Sequence, residues 1–233
     1  EFSADSYLAF ATSFGIVKRT PLTDFSRPRQ AGIRAINLLE GEHLVAVRET
    51  DGESDIIMAS DSGLAIRFHE SDARSMGRTA RGVRGIALSE GQTVVGMVVV
   101  ERDATDLTLL SITENGYGKR TPLEDYRIQK RGGKGLITIK CSERNGPLMG
   151  IRDVVGGEEL MVITRNGIMI RITQDSVSQQ GRNTQGVRII NLKDGDLVGS
   201  FTKISLAAVA GIETGPRTRK KRRPVPRRPR IPT

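Results

Sequence analysis

Short apolar runs separated by glycine turns recur along most of the chain, and many of these runs alternate between apolar and polar positions. In the segment LAIRF, Leu64, Ile66 and Phe68 fall on one face of an extended strand. Arg67 falls on the opposite face. Such a run directly after a glycine is typical of the second strand of a β-hairpin, in which the glycine adopts the positive φ of the turn. We find no helical periodicity that competes with this pattern.

The hairpins belong to a unit of about 50 residues that occurs four times. Each unit has one glycine in the hairpin turn, a second 17 to 19 residues later before another apolar strand, and a third before a closing strand. The first glycines are Gly15, Gly63, Gly116 and Gly167; the second are Gly32, Gly82, Gly135 and Gly186; the third are Gly41, Gly91, Gly146 and Gly195. Four short strands per unit predict an all-β, propeller-like or pinwheel array of four blades.

The repeat boundaries divide the chain into six predicted segments. Residues 1–6 are a linker from a missing upstream part, followed by blades at 7–52, 53–103, 104–156 and 157–204. Residues 205–233 form an Arg- and Pro-rich tail that cannot bury a core and is predicted to be disordered.

The net charge of +9 favours a polyanionic partner such as nucleic acid, but its distribution weakens that argument. The last 21 residues hold nine basic residues and one acid, which leaves 27 basic and 26 acidic residues in positions 1–212. The tail is either an electrostatic arm for phosphates or a solvated terminus. The charge of the repeats is therefore almost balanced.

Several classes of site and protein are excluded by composition. One cysteine, Cys141, and two histidines, His43 and His69, cannot supply a disulfide framework or a zinc-finger cluster. The absence of Trp argues against single-strand readers that stack bases. No apolar run approaches the roughly 20 residues of a membrane span, and no leader is apparent, so we expect a cytoplasmic protein without a membrane partner. The acidic residues at turns lack metal-ligand or paired-carboxylate spacing, so no catalytic or metal site is predicted.

A register of basic residues runs through the repeats. The fourth residue after each first glycine is arginine, and two of these arginines follow a lysine; a further arginine lies two residues after three of the second glycines. The first set is Arg19, Arg67, Arg120 and Arg171, with Lys18 and Lys119, and the second set is Arg34, Arg84 and Arg188. Strand alternation predicts that they point away from the apolar face and line one rim, where guanidinium groups could pair with DNA phosphates. Ordinary solvated arginines balanced by nearby acids are the alternative.

The loop between the first and second glycines of the third repeat is the strongest candidate binding site. Its sequence QKRGGKG comprises Gln129, Lys130, Arg131, Gly132, Gly133, Lys134 and Gly135. Glycines let a backbone approach a phosphate closely and offer N–H groups to it, while lysine and arginine neutralise its charge. The GxxxxGK[ST] spacing of a nucleotide-binding P-loop is absent, so the phosphates of a polymer are favoured over a nucleotide.

The loop QKRGGKG resembles QRRGGKG, a seven-residue box in the C-terminal domain of the A-type subunit of DNA gyrase, with Lys130 in place of the first arginine. The phrases GIVKRTPLTDF, GYGKRTPLEDYRIQ, GRTARGVRGI and GRNTQGVRII also resemble repeats of that domain. The resemblance covers about residues 7–204. It implies a β-pinwheel, in which neighbouring blades exchange strands, that wraps double-stranded DNA around a basic perimeter.

By the same resemblance, this domain acts with the catalytic part of the A-type polypeptide and with the B-type polypeptide in an A2B2 gyrase holoenzyme that introduces negative supercoils. ATP and magnesium are used elsewhere in that holoenzyme, so no cofactor is expected in this chain. The cleavage tyrosine of the family lies upstream, and the tyrosines present here, Tyr7, Tyr117 and Tyr126, lie inside the repeats. The family domain has six blades with its box in the first, so this chain corresponds to the last four blades and QKRGGKG to a fifth-blade counterpart.

The sequence alone leaves two other interpretations open. The A-type subunit of topoisomerase IV carries a related, more degenerate domain. A propeller-like scaffold for protein partners is the other, although the sequence has no Trp and lacks the Gly-His and Trp-Asp signature of WD repeats.

Overall fold

The structure of this chain is a computed structural model that describes residues 2–3 and 5–204, so the predicted basic tail lies outside the described residues. The described part contains fifteen strands and four short 3-10 turns. The strands are β1 Tyr7–Thr12, β2 Ile16–Pro21, β3 Leu44–Thr50, β4 Asp55–Ser60, β5 Leu64–His69, β6 Val83–Arg84, β7 Val94–Val100, β8 Thr108–Thr113, β9 Tyr117–Pro122, β10 Leu136–Ile137, β11 Leu148–Val154, β12 Glu159–Thr164, β13 Met169–Thr173, β14 Val187–Arg188 and β15 Val198–Ile204. Within this part of the chain, no helix is long and apolar enough to cross a membrane.

Each repeat supplies three long antiparallel strands, of which the first lies in the centre. The first and second long strands form the predicted hairpin, and the closing strand returns to pair with the first, giving the order β3-β1-β2 in the first repeat. The other repeats follow the same plan with β7-β4-β5, β11-β8-β9 and β15-β12-β13. The turn glycines adopt φ values between +78° and +84°, as the hairpin pattern requires. The prediction of an all-β array of four blades is confirmed.

Neighbouring blades exchange strands. The short strand after each second glycine leaves its own repeat and pairs with the hairpin of the preceding one: β6 with β2, β10 with β5, and β14 with β9. Three sheets are thereby completed to four strands. This exchange is the feature that separates a pinwheel from an ordinary propeller, and it agrees with what the resemblance implies.

The two ends of the described array differ from its middle. Residues 32–38, which the sequence predicts as a strand, form none, because no preceding blade offers them a sheet edge within the described residues. At the other end, the fourth sheet has three strands, and β13 forms its outer edge. Strand formation in these short segments therefore depends on a partner edge.

The hydrophobic core lies between blades. Three buried clusters fill the interfaces of blades 1 and 2, 2 and 3, and 3 and 4, centred on residues such as Phe68, Tyr126 and Val162. The closing strands β3, β7 and β11 contact one another in succession, which places them at the inner edge of the array. The exchanged strands β6, β10 and β14 lie at the opposite, outer edge of each sheet.

We expect Gly63→Ala to lower the free energy of unfolding more than Gly167→Ala. Both glycines have positive φ, so alanine costs about 1 kcal/mol of backbone strain at either position. At Gly63 an added Cβ would also collide with the carbonyl oxygen of Ile139, which follows the exchanged strand; at Gly167, nothing lies within 4 Å. Urea unfolding should give a total loss of about 2 to 3 kcal/mol for Gly63→Ala. Equal losses in the two variants would contradict close approach of the exchanged segment.

Candidate nucleic-acid interface

Arg19 and Arg67 lie four residues after the first glycines of blades 1 and 2, and both are buried. The sequence predicts instead that they face solvent along a rim. Arg67 lies with Nη2 2.7 Å from Oδ2 of Asp55, which is itself buried. Its Nη1 donates to the carbonyl oxygen of Leu123 at 3.2 Å and its Nη2 to that of Arg102 at 3.3 Å. The side chain thus joins a carboxylate of its own blade to the backbone of the third repeat.

Arg19 plays the same part between blades 1 and 2. Its Nη1 lies 3.1 Å from Oε2 of Glu70, and its guanidinium lies 4.3 Å from the ring centre of Tyr7. Glu70 is fully buried and also accepts hydrogen bonds from the Thr50 hydroxyl at 2.6 Å and the Ser54 N–H at 2.9 Å. The ion pair therefore lies inside a polar network at the junction of two blades, although Nε of Arg19 has no hydrogen-bond partner within the described residues.

The equivalent arginines of blades 3 and 4, Arg120 and Arg171, are less buried than Arg19 and Arg67. Arg120 donates from Nε to the carbonyl oxygen of Val177 at 2.8 Å and from Nη1 to Oε1 of Gln174 at 2.5 Å. Arg171, whose blade has no following repeat among the described residues, is exposed and pairs with Glu159. The expected orientation is wrong for Arg19 and Arg67 and largely wrong for Arg120, because the next repeat packs on the face that alternation predicts to be open.

The lysines next to this register, Lys18 and Lys119, are also fully buried rather than on a rim. Nζ of Lys119 donates to the carbonyl oxygens of Gly181 at 2.6 Å and Arg182 at 2.5 Å. Nζ of Lys18 donates to the carbonyl oxygens of Ala35, at 2.6 Å, and Arg78. Burial lowers the pKa of each lysine to about 8. Lys119 therefore holds a loop of the following repeat from beneath, and Lys18 holds a loop of its own repeat together with a loop of the following one.

The loop of residues 129–135 is at the surface, with Lys130 and Lys134 exposed. Arg131 is held by the second repeat: its Nε lies 2.7 Å from the carbonyl oxygen of Asp72 and its Nη1 3.1 Å from that of Arg84. The Gly132 N–H donates to the carbonyl oxygen of Gly85 at 2.6 Å. Two exposed lysines are thus carried on a loop whose backbone is fixed.

The remaining loop residues explain its shape. The N–H of Gln129 donates to the carbonyl oxygen of Arg67 at 2.8 Å, and the carbonyl oxygen of Gly133 accepts from Ala87 at 2.8 Å. Gly135 has a φ of +82°, and a Cβ there would lie 2.5 Å from the carbonyl oxygen of Ala65. Glycine is required at this position by both its φ and its close approach to the neighbouring strand.

The second-glycine arginines are exposed, as the sequence predicts. Arg34 lies 3.3 Å from the Asn37 side chain, and Arg84 projects from the exchanged strand β6. Nη2 of Arg188 donates to the Tyr117 hydroxyl at 2.9 Å. Hydrogen bonds from Arg144 and Arg188 lower the pKa of Tyr117.

The exposed side chains of Arg34, Arg84, Lys130, Lys134 and Arg188 belong to one continuous surface, which we call the outer belt: residues 26–39, 73–88, 126–142 and 176–192. Its four segments are joined in order by hydrogen bonds from Asn37 to Thr79 (2.6 Å), Gly132 to Gly85 (2.6 Å) and Lys140 to Thr184 (2.8 Å). The belt contains fourteen Lys and Arg residues and no Asp or Glu. The sequence alone shows that these four stretches lack Asp and Glu. The net charge of +1 over residues 1–212 does not reveal it, because acids elsewhere in the repeats balance the basic residues of the belt.

Comparison with known proteins places this geometry in a family. The family of the DNA gyrase C-terminal domain, described as a β-propeller, matches residues 6–51, 54–101, 108–152 and 158–201. The A subunit of DNA gyrase from Staphylococcus epidermidis (strain ATCC 12228) is 48% identical over 203 residues, which cover 87% of this chain and 23% of that protein. The corresponding protein of Staphylococcus aureus (strain MRSA252) is 47% identical over 202 residues, with the same coverage. The chain thus spans about a quarter of the length of these relatives.

Solved structures agree with the fold. A structure of a DNA gyrase A C-terminal domain superposes with a TM-score of 0.78 at 28% identity, covering 88% of this chain and 68% of that one. The C-terminal domain of a DNA topoisomerase IV superposes with a TM-score of 0.82 at 23% identity, covering 91% and 68%, which shows the fold alone. The four matched repeats and the strand-exchanged blades lead to one assignment: this chain belongs to the DNA gyrase C-terminal domain family.

Proposed function

We propose that this chain binds duplex DNA along its outer belt and bends the duplex around the array of blades. The observation that carries the proposal is the belt itself: four segments that contain fourteen basic residues and no Asp or Glu, joined in succession along the outer edges of consecutive blades. A convex basic surface of this kind attracts a bent polyanion through its phosphates.

The proposed contacts come from exposed side chains of the belt. Lys130 and Lys134 lie on the glycine-rich loop, and Arg34, Arg84 and Arg188 follow the second glycines. Lysine and arginine bind phosphates without reading bases, so affinity should depend weakly on sequence and steeply on salt. The buried Lys18, Arg19, Arg67 and Lys119 support this surface from within and are not proposed as direct contacts.

The relatives support a proposal for the activity of the whole protein. We infer that the chain acts as the DNA-wrapping part of the A-type polypeptide of gyrase, together with the catalytic part of that polypeptide and with the B-type polypeptide in an A2B2 type II topoisomerase. In that setting, wrapped DNA is presented for ATP-driven strand passage that introduces negative supercoils. The location is the cytoplasm, on nucleoid DNA. The chemistry of cleavage, ATP and magnesium is assigned to other parts of the holoenzyme.

A plasmid-relaxation experiment tests wrapping directly. Closed circular DNA is incubated with the full chain, relaxed with a nicking-closing topoisomerase and stripped of protein, and its topoisomers are separated on a gel. Chiral wrapping should shift the linking number in proportion to bound protein. A variant whose nine basic tail residues are replaced by Gln separates the belt from the tail, because it should retain the shift.

Two results would overturn the proposal. Binding without any linking-number shift would mean that the duplex is held without being wrapped. If the tail variant does not bind DNA at low salt, the blades are not a DNA-binding surface. That result would favour a scaffold for protein partners.

A further inference from the structure

We propose that the backbone of Arg182 and Asn183 forms a binding site for one phosphate group, and that buried Lys119 is the positioning residue that shapes it. The ligand is a phosphodiester oxyanion of the bound duplex. The inference rests on the proposed function for its natural ligand, and it adds a site made of main-chain N–H groups instead of basic side chains.

The orientation of the loop follows from the lysine beneath it. Nζ of Lys119 accepts no bonds and donates to two successive carbonyl oxygens, those of Gly181 at 2.6 Å and Arg182 at 2.5 Å. The chain has no cis peptide bond among its described residues, and in a trans peptide the C=O and the following N–H point in opposite directions. Because both carbonyls point inward to the ammonium group, the N–H groups of Arg182 and Asn183 point outward.

These two N–H groups are available to a ligand. Neither donates a hydrogen bond within the part of the chain that the structure describes, and Gly181 and Asn183 are exposed. Successive unpaired N–H groups in a turn can bind an anion. No acid occurs in residues 176–192, so the site has no carboxylate of its own segment to repel a phosphate.

The loop is rigid enough to act as a preformed site. The hydroxyl of Thr184 lies 3.0 Å from Nζ of Lys119 and 2.8 Å from Oε1 of Gln180. At its start, the Gln180 N–H donates to the carbonyl oxygen of Arg120 at 2.8 Å, and its carbonyl oxygen accepts from the Thr121 hydroxyl at 2.9 Å. Binding therefore costs little ordering of the loop.

The second repeat contains a related arrangement. Its loop begins Gly77-Arg78-Thr79, matching Gly181-Arg182-Asn183, and Nζ of Lys18 donates to the carbonyl oxygen of Arg78. The N–H of Thr79 therefore points outward and has no partner among the described residues. Beneath the loop of the third repeat, Ile66 of the second repeat takes the place of the lysine, and that loop supplies the exposed Lys130 and Lys134 instead. Phosphate recognition thus alternates between backbone and side chain along the belt.

The experiment is a 15N-resolved NMR titration of the full chain, first with inorganic phosphate and then with a short duplex. The Arg182 and Asn183 amides should shift downfield and saturate with each ligand. The reference is an exposed amide outside the belt that has no hydrogen-bond partner within the described residues, that of Gly156. Shifts at Arg182 and Asn183 no larger than this reference, with the duplex still bound, would overturn the site and leave the proposed function intact. Loss of duplex binding altogether would reject the proposed function.

Lys119→Met tests the positioning role. The variant keeps the length and burial of the side chain but cannot orient the two carbonyls, so the Arg182 and Asn183 shifts should disappear while the Thr79 amide, held by Lys18, still responds. Duplex affinity should fall about tenfold, as for the loss of one phosphate contact, while the slope of log K against log salt should change by less than about one, because neutral main-chain N–H groups release no counterion. Unchanged amide shifts in this variant would contradict the role of Lys119. If the variant does not fold, the titration of the unmodified chain still decides whether the site exists.

Discussion

Replacement of Arg67 by Met is expected to lower the free energy of unfolding by about 3 to 5 kcal/mol. The guanidinium is the partner of the fully buried Asp55, whose Oδ1 has no hydrogen bond within the described residues. Met fills a similar volume but leaves this carboxylate uncompensated in the interior, and it also removes the donors to the Leu123 and Tyr126 carbonyls. Urea unfolding followed by circular dichroism measures the loss.

Arg171→Met is the matched control, because Arg171 occupies the same position of the repeat in an exposed ion pair with Glu159. Its expected cost is below about 1 kcal/mol. The double variant Arg67→Met, Asp55→Asn also removes the unpaired buried charge of the Asp55 carboxylate, and it should be more stable than Arg67→Met alone. If Arg67→Met is no more destabilising than Arg171→Met, the junction does not depend on its ion pair.

The second large effect is expected in DNA binding. A variant with Gln at Arg74, Arg84, Lys130 and Lys134 removes four exposed cations of the outer belt. If each contacts one phosphate, the slope of log K against log salt should become shallower by about 3 to 4. Affinity at low salt should fall about a thousandfold, at about 1 kcal/mol or slightly more for each lost contact. Fluorescence anisotropy with two duplexes of unrelated sequence measures both quantities.

The control carries the same change in net charge outside the belt, with Gln at Arg48, Arg102, Arg165 and Lys193, all of them exposed. Long-range attraction falls equally in both variants, so the difference between them reports contacts at the belt. Arg131 is left intact in both because it holds the loop to the Asp72 and Arg84 carbonyls. Equal losses in the two variants would mean that DNA responds to net charge and not to this surface.

The blades were predictable from sequence because the hairpin signal is local. An alternating run after a turn glycine specifies β1–β2 or β4–β5 without reference to the rest of the chain. The exchange of strands is not local: β6 has two residues and pairs with a hairpin of the preceding repeat, so its partner could come only from the family resemblance. The failure of residues 32–38 to form a strand has the same cause, since the sequence of that segment matches its counterparts and only its neighbour differs.

The candidate site was predictable in part. The loop of residues 129–135 and the arginines after the second glycines were found because glycine and charge together are a strong local signal. The prediction that Arg67 faces solvent was wrong, because alternation separates the two faces of a strand but does not say which face another blade will cover. In the second blade both faces are covered, with Ile66 in one interblade core and Ala65 in the next. Acids at the right distance along the repeat, Asp55 and Glu70, are the signal that could have identified the buried partners.

Strand exchange also sets an order of events during synthesis of the chain. The first blade begins at Tyr7, but its outer strand, β6, ends at Arg84, after the entire β4–β5 hairpin of the next repeat. Each of the first three sheets is therefore completed only after part of the next repeat has been synthesised, and a translational pause before that point leaves the sheet with an open outer edge. Open edges are sites of mispairing between nascent chains, so the rate of elongation through the second-glycine segments becomes a determinant of correct folding.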